Sequence, residues 1–399
     1  MVIHSCHIDF PLFPLAFSGY YKKDMKIALT GGGTGGHFYP IIAVAQEIAT
    51  IAEAEKLVDV KLFYFSDAPY NGRLLFENKL TFEKVTAGKL RRYFSLLNFF
   101  DLFKTAFGIV AALRTMYRVY PDVVFGKGGY ASFPTLFAAR ILGIPVVIHE
   151  SDSTPGRVNL WAGKFAQKIL LGFPSAAASF PEGKSVVVGT PIRKELLHPI
   201  PTGAYEFLKL EQGVPVIFIV GGSLGSERIN DTILDILPEL LEKYQIVHQT
   251  GKKNFETARD IATVRLAKHP HKDRYRPFDY LNETAMRLTA GVASLAISRA
   301  GSSLFEFAQW GIPAILIPIP EEISHDQRKN AFAYARTGAA IMIEENNLTP
   351  HLLLAEINRL MEHPQFREEM TKAAREFAKP NAAYAVARTL VDIALEHEK

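Results

Sequence analysis

Ala28-Leu29-Thr30-Gly31-Gly32-Gly33-Thr34-Gly35-Gly36-His37, an apolar run that breaks into glycines, decides the fold of this chain. The pattern returns in the second half as Val216-Ile217-Phe218-Ile219-Val220-Gly221-Gly222-Ser223-Leu224-Gly225-Ser226. A strand that turns on glycine and opens a helix offers free backbone N–H groups beside a positive helix end, which suits phosphate. One such turn is a weak signal, since glycine serves any tight turn. Two of them, half a chain apart, predict two nucleotide-type α/β domains facing one another across a cleft.

Working outward, short β-rich runs alternate with longer helical ones. Candidate strands lie at 26–29, 60–65, 122–125, 145–149, 168–171 and 185–188, with helical patterns such as 39–55 and 134–142 between them. That alternation argues for a parallel sheet with helices on both faces. Strands buried on both faces should be apolar throughout, as Val146-Val147-Ile148 and Val186-Val187-Val188 are. Around 189–203 the rhythm lapses into Gly-Thr-Pro and then His-Pro-Ile-Pro-Thr-Gly, which marks an interdomain linker. A second series follows at 216–220, 244–249, 293–298, 314–318 and 339–343. Residues 364–399 read as two helices, broken at Lys379 by Pro380. The expected fold is α/β, with two doubly wound Rossmann-like domains. The expected division is a tail at 1–24, a first domain over 25–195, a second over 196–365, and C-terminal helices over 366–399 packing back on the first.

Bulk properties narrow the function. At 399 residues the chain exceeds one compact core. With 48% hydrophobic and 22% charged residues, large-scale disorder is excluded. A net charge of +4 is only mildly basic, and no nucleic-acid partner is expected. Cys6 is the single cysteine, so the chain holds no internal disulfide and no cysteine-based zinc site, which points to the reducing cytoplasm. No run reaches the roughly 18 apolar residues of a membrane span. Residues 1–24, with prolines at 11 and 14, read as a loose tail or over-extended start rather than a secretory signal. The first turn lacks both the spacing of a dinucleotide fingerprint and the Gly-Lys-Ser/Thr of an NTP-hydrolysing loop. No Asp-x-Asp pair is present to chelate a metal–diphosphate, so backbone N–H groups and cations would have to meet phosphate charge.

Ligands of open parallel sheets bind at the carboxyl ends of strands. The loops there are Gly126-Lys127-Gly128-Gly129-Tyr130, His149-Glu150-Ser151-Asp152, Gly189-Thr190-Pro191-Ile192-Arg193 and Ser298-Arg299-Ala300-Gly301, besides the two turns. Gly-Gly-Thr-Gly-Gly-His, Gly-Gly-Tyr, His-Glu-x-Asp-x-x-Pro-Gly-x-x-Asn, Gly-x-Pro-Ile-Arg, Gly-Gly-Ser-Leu-Gly and Asp-Gln-x-x-Asn-Ala occur in that order. Over about residues 25–365 this ordered set resembles the MurG family of peptidoglycan N-acetylglucosaminyltransferases, which have the GT-B fold. The resemblance implies inverting, metal-independent transfer of GlcNAc from UDP-GlcNAc, without a cofactor. The acceptor it implies is the MurNAc 4-hydroxyl of undecaprenyl-diphospho-MurNAc-pentapeptide (lipid I), and the product lipid II.

The same resemblance assigns roles. His37 would be the general base, since a histidine takes a proton near neutral pH; the plainer alternative is a residue packed at its turn. Asp152 is a second candidate base. Thr34, Gly35 and Gly36 would floor the cleft where donor sugar and acceptor diphosphate meet. Gly222, Ser223 and Gly225 would hold the UDP diphosphate, with charge from Arg193. Glu306 would hold the ribose hydroxyls, a task for a carboxylate that accepts two hydrogen bonds. Gln327 and Asn330, three apart on one helical face, would meet the GlcNAc, and Tyr280 or Leu281 the uracil. Tyr130, His149, Glu150 and Asn159 would line the acceptor side.

Between Lys89 and Arg118, Leu96, Phe99, Phe100, Phe103 and Phe107 recur at helical spacing among Arg91, Arg92, Lys104 and Arg114. A basic, phenylalanine-rich amphipathic helix suits an anionic bilayer surface, although such a stripe can also pack on its own domain. Peripheral attachment at the cytoplasmic face of the plasma membrane is expected, with cell-wall synthesis proteins as further partners. Two other enzymes share the scaffold: a transferase acting on another lipid acceptor, and a UDP-GlcNAc 2-epimerase, which would leave the basic helix unexplained. A non-catalytic sugar-nucleotide binding module would not need His37, Glu306 and Gln327 together.

Overall fold

The computed structural model describes residues 24–88, 97–222, 225–321 and 325–397. Strands β1 (Lys26–Thr30), β2 (Lys61–Ser66), β3 (Leu80–Lys84), β4 (Val123–Gly126), β5 (Val146–Glu150), β6 (Lys168–Leu171) and β7 (Ser185–Val187) form one parallel sheet in the order β3-β2-β1-β4-β5-β6-β7. Strands β8 (Val216–Val220), β9 (Gln245–Gln249), β10 (Tyr275–Phe278), β11 (Ala293–Ser298), β12 (Ala314–Leu316) and β13 (Ala340–Met342) form a second, in the order β10-β9-β8-β11-β12-β13. In both sheets the strand order reverses beside the first strand, and a crevice opens there at the carboxyl ends. The two glycine turns leave from β1 and β8, one at each reversal. This is the doubly wound pair that the sequence pattern predicts.

Three local expectations change. Strands β3 and β10 were not anticipated; both are edge strands, where the run need not be apolar throughout and Pro277 is tolerated. Val186 and Val187, expected to be buried, are 48% and 38% exposed because β7 is the opposite edge. The first long helix spans Gly35–Ala54, starting a turn earlier than 39, so Pro40 falls inside it and Gly36 loses its i+4 donor.

The chain crosses between the two sheets twice. After β7, Leu196 and Ala204 enter the core of the second sheet, and the Trp310 indole donates to the Leu196 carbonyl at 2.6 Å. The segment 366–399 then divides. Helix Pro364–Phe377 places Met370 and Ala374 in the second sheet's cores. Helix Ala382–His397 returns to the first sheet, where Val386, Leu390 and Val391 pack with Ile27, Ile41 and Ile48. Full burial of each such side chain stabilises by about 1.5–3 kcal/mol. Arg388 adds an ion pair to Glu55 on the first helix.

Candidate active site

The helix that follows β1 sets the position of His37. The Thr34 carbonyl accepts from the N–H groups of His37 and Phe38, both at 3.2 Å. The Thr34 hydroxyl is not used as a helix cap; it lies 2.9 Å from His37 Nδ1 and fixes the ring, which leaves Nε2 for a substrate. Burial, reinforced by the charge of Lys127, pushes the imidazole pKa down to about 3. His37 is therefore neutral at physiological pH. It lines a cavity of about 540 Å³ with Lys127, Tyr130, Glu150, Asp152, Arg157 and Asn159. Asp101 and Thr105 of the helix Leu97–Val119 line it too.

The loop after β5 is braced from within. Glu150 accepts from the backbone N–H groups of Asp152 (2.9 Å) and Gly156 (3.0 Å) and from Asn159 Nδ2 (2.9 Å). Burial and the neighbouring Asp152 raise its pKa. Asn159 Nδ2 also donates to the His149 carbonyl at 3.0 Å. His149, expected on the acceptor side, is fully buried, and its Nε2 lies 2.8 Å from the Gly189 carbonyl. It does not reach the cavity, because inward-facing positions of a central strand are taken up by packing. Tyr130 does: its ring covers Gly33, which has φ +87°, and its hydroxyl donates to Asp67 at 2.7 Å.

A second cleft, of about 450 Å³, runs between the sheets. Thr34, Gly35 and Gly36 form one wall, so a single glycine turn borders both spaces. Gly221, Gly222 and Gly225 form the opposite wall; Gly225 has φ +78°, and a Cβ there would meet the Thr250 carbonyl at 1.9 Å. Ser223 lies outside the described residues. Arg193, Tyr280, Leu281, Glu306 and Gln327 complete the lining. The Arg193 guanidinium is buried, sits 4.3 Å from the Tyr39 ring centre and pairs with Glu283. Burial raises the Glu306 pKa to about 7, against the lowering effect of Arg193.

Asn330 is not on this lining. It is 2% exposed and bridges the two halves: Nδ2 donates to Asp152 Oδ1 at 2.8 Å, and Oδ1 accepts from Ser153 N–H at 2.8 Å. Its helical spacing from Gln327 gave the face but not the neighbour. Asn330→Ala removes both bonds, at about 1–3 kcal/mol. With the donor and acceptor that the sequence resemblance implies, the expected result is a raised acceptor KM with little change for the donor; separate KM measurements check it, and the reverse pattern would restore a donor contact.

Sequence reasoning gave no role to three residues that the structure places here. Lys127 is 2% exposed with Nζ bonded to Ser151 Oγ, and burial lowers its pKa. Gln249 joins two loops of the cleft lining, donating to the Gly222 carbonyl at 3.1 Å and accepting from Leu281 N–H at 2.9 Å. Arg299 donates to Ser226 Oγ at 2.6 Å and steadies the second turn. Their position at strand carboxyl ends was the available signal.

Comparison with known proteins is consistent over nearly all of the chain. Residues 27–171 match the glycosyltransferase family 28 N-terminal domain, and residues 216–386 the family 28 C-terminal domain. A relative from Clostridium kluyveri is 37% identical over 338 residues, covering 84% of this chain and 91% of its own. It is named UDP-N-acetylglucosamine–N-acetylmuramyl-(pentapeptide) pyrophosphoryl-undecaprenol N-acetylglucosamine transferase. The crystal structure of Acinetobacter baumannii MurG is similar with a TM-score of 0.72 and 27% identity, over 92% of this chain and 99% of its own. A UDP-N-acetylglucosamine 2-epimerase described as putative, from Listeria monocytogenes, has a TM-score of 0.66 at 14% identity, over 91% of this chain and 95% of its own, and shares the fold.

Proposed function

The chain belongs to glycosyltransferase family 28, and on that footing we infer that it transfers GlcNAc from UDP-GlcNAc to undecaprenyl-diphospho-MurNAc-pentapeptide, giving lipid II. It is a UDP-GlcNAc-dependent glycosyltransferase of peptidoglycan synthesis with the GT-B arrangement. One observation carries the reaction scheme: the Gly31–His37 turn borders both the cavity that His37 lines and the cleft that Glu306 and Gln327 line. Donor and acceptor would meet there.

The scheme is a single inverting displacement. The acceptor hydroxyl attacks the GlcNAc anomeric carbon opposite to UDP, the bond to the diphosphate oxygen breaks, and His37 Nε2 takes the hydroxyl proton. Backbone N–H groups of the second glycine turn, with Ser223, receive the charge on the leaving diphosphate. Glu306 accepts from the ribose hydroxyls, Gln327 meets the sugar and Tyr280 flanks the base. Arg193 is paired with Glu283, so its charge reaches the diphosphate only if that pair opens. Asp152, tied to Asn330, acts through the shape of the acceptor loop more than as a base.

Labelled UDP-GlcNAc and a lipid I analogue, incubated with EDTA, test the whole scheme. Transfer under EDTA is expected; dependence on added metal would overturn the metal-free displacement, and absence of any transfer the function.

Membrane attachment is a further proposal. Among the described residues no helix is long and apolar enough to cross a membrane. In the helix Leu97–Val119, Phe103, Phe107 and Tyr117 are 51%, 73% and 73% exposed, and Lys104 and Arg114 are also exposed. The side chains of Phe99 and Phe100, and all of Arg91 and Arg92, lie outside the described residues. A lipid-linked acceptor held against Asp101 and Thr105 would have its chain beside this face. Changing Phe99, Phe100 and Phe103 to Ser should release the protein from anionic liposomes in a flotation assay; undiminished binding sinks the idea.

A further inference from the structure

The donor cleft contains an ion pair that stands in the way of the scheme above. Arg193 and Glu283 both line the cleft. Arg193 lies in the stretch after β7, and Glu283 opens the helix Glu283–Val292 after β10. The two halves of the pair are unequal: the Arg193 side chain is 8% exposed and that of Glu283 39%. The guanidinium sits over the ring of Tyr39, on the first helix, and its Nη1 donates to Glu283. Among the described residues its buried Nε has no hydrogen-bond acceptor. The other arginine of the lining is committed, since Arg299 donates to Ser226 Oγ and to the Ile317 carbonyl and pairs with Glu345.

A buried guanidinium needs an anion at all times, because removing its partner leaves an uncompensated charge away from water. A carboxylate at a more open position has no such need; once released it is met by water, and exposed pairs are weak. Arg193 is therefore the fixed half of the pair, and Glu283 the half that can leave. An incoming diphosphate brings more charge than a carboxylate and can use the idle Nε together with Nη in a forked contact. Glu306, the second carboxylate of the lining, already has the ribose hydroxyls as its task. A glutamate in a first helical turn is favourable on its own account. That helix does not depend on it, because the Asn282 side chain already caps it by accepting from Ala285 N–H at 2.9 Å.

We propose that Glu283 is an internal counter-ion of the donor site. It holds Arg193 while the cleft is empty, yields it to the diphosphate of the incoming donor, and takes it back as UDP departs. The inference rests on the donor assignment made above. Glu283 acts through Arg193 and is a positioning residue; it loosens the hold on UDP-GlcNAc and UDP alike and so eases product release. It has no part in recognising uridine, whose base the scheme gives to Tyr280.

Full-length Glu283→Gln, which keeps the shape and removes the charge, tests this, with Glu283→Ala as a second variant. In calorimetric titrations the Kd for UDP should be about 3- to 30-fold lower in both variants than in the wild type, the gain from an arginine no longer held by a competitor. Uridine, which has no phosphate, should bind all three proteins alike. In the transfer assay, the KM for UDP-GlcNAc and the inhibition constant of UDP should fall together. UDP bound equally or more weakly by the folded variants overturns the counter-ion role, because a glutamate that merely oriented Arg193 would weaken the site when removed. Uridine binding that tightens by the same factor also overturns it, by placing the effect away from the diphosphate. If the wild type binds neither UDP nor uridine, the donor assignment itself falls, and this inference with it.

Discussion

His37→Gln lowers kcat by about 10²- to 10⁴-fold, the usual worth of a positioned general base, and leaves the affinity for UDP-GlcNAc within a few-fold. The expectation follows from its place: ring held at Nδ1 by Thr34, Nε2 without a partner among the described residues, at the end of the glycine turn that borders both ligand spaces. Glutamine keeps the volume and can still bond Thr34, so the loss isolates proton transfer. The comparison with Asp152→Asn is decisive. Asp152 Oδ1 is already bonded to the Asn330 amide, and its amide analogue should cost less than tenfold. A larger loss at 152 than at 37, measured as kcat at saturating substrates, would exchange the two roles.

Glu306→Gln is expected to raise the KM for UDP-GlcNAc about 10- to 100-fold, the worth of charged hydrogen bonds to two hydroxyls. It should also abolish an acid limb in the pH profile. The Glu306 pKa is raised to about 7 by burial. As pH falls through about 7 the carboxylate gains a proton and loses its charge and part of its accepting capacity. Hence kcat/KM for the donor drops below neutrality in the wild type and stays flat in Glu306→Gln. His37, with its pKa near 3, contributes no limb in that range. The stability effect has the opposite sense. A carboxyl whose folded pKa exceeds its unfolded one binds an extra proton in the native state, so the stability it contributes at low pH is lost as pH rises through about 7. Glu306→Gln should therefore melt higher than the wild type at pH 8 while working worse. A profile with its acid limb unmoved by the substitution would remove Glu306 from the donor site.

Much of the fold could be read from the chain because central strands are simple. Val216–Val220 is apolar throughout and fully buried, and its boundaries were found to the residue. Edges were not. Leu80-Thr81-Phe82-Glu83-Lys84 shows half-polar alternation and Tyr275–Phe278 contains a proline, and each pairs on one side only. Glu306 and Gln327 could be singled out because family motifs fix them to helix starts, and both line the cleft. His149 sits in a motif for the sake of the core, where its imidazole holds the Gly189 loop. Lys127 could be placed in a strand-end loop but given no role, because its burial depends on the chain after β5, where Ser151 Oγ meets its Nζ. Asn330 shows the same limit, since periodicity says which residues share a face and not what lies opposite.

The return of the last helix to the first sheet has a consequence for synthesis. Ile27, Ile41 and Ile48 have Val386, Leu390 and Val391 as part of their cover. About 200 residues separate β7 from that cover, which at 5–20 residues per second is roughly 10–40 s of translation. During that interval the nascent first half shows the ribosome exit and its chaperones an unroofed apolar face. The second sheet, whose cores need nothing beyond Ala374 and its partly buried neighbours Phe377 and Ala378, can close earlier. The half made first is thus the half finished last.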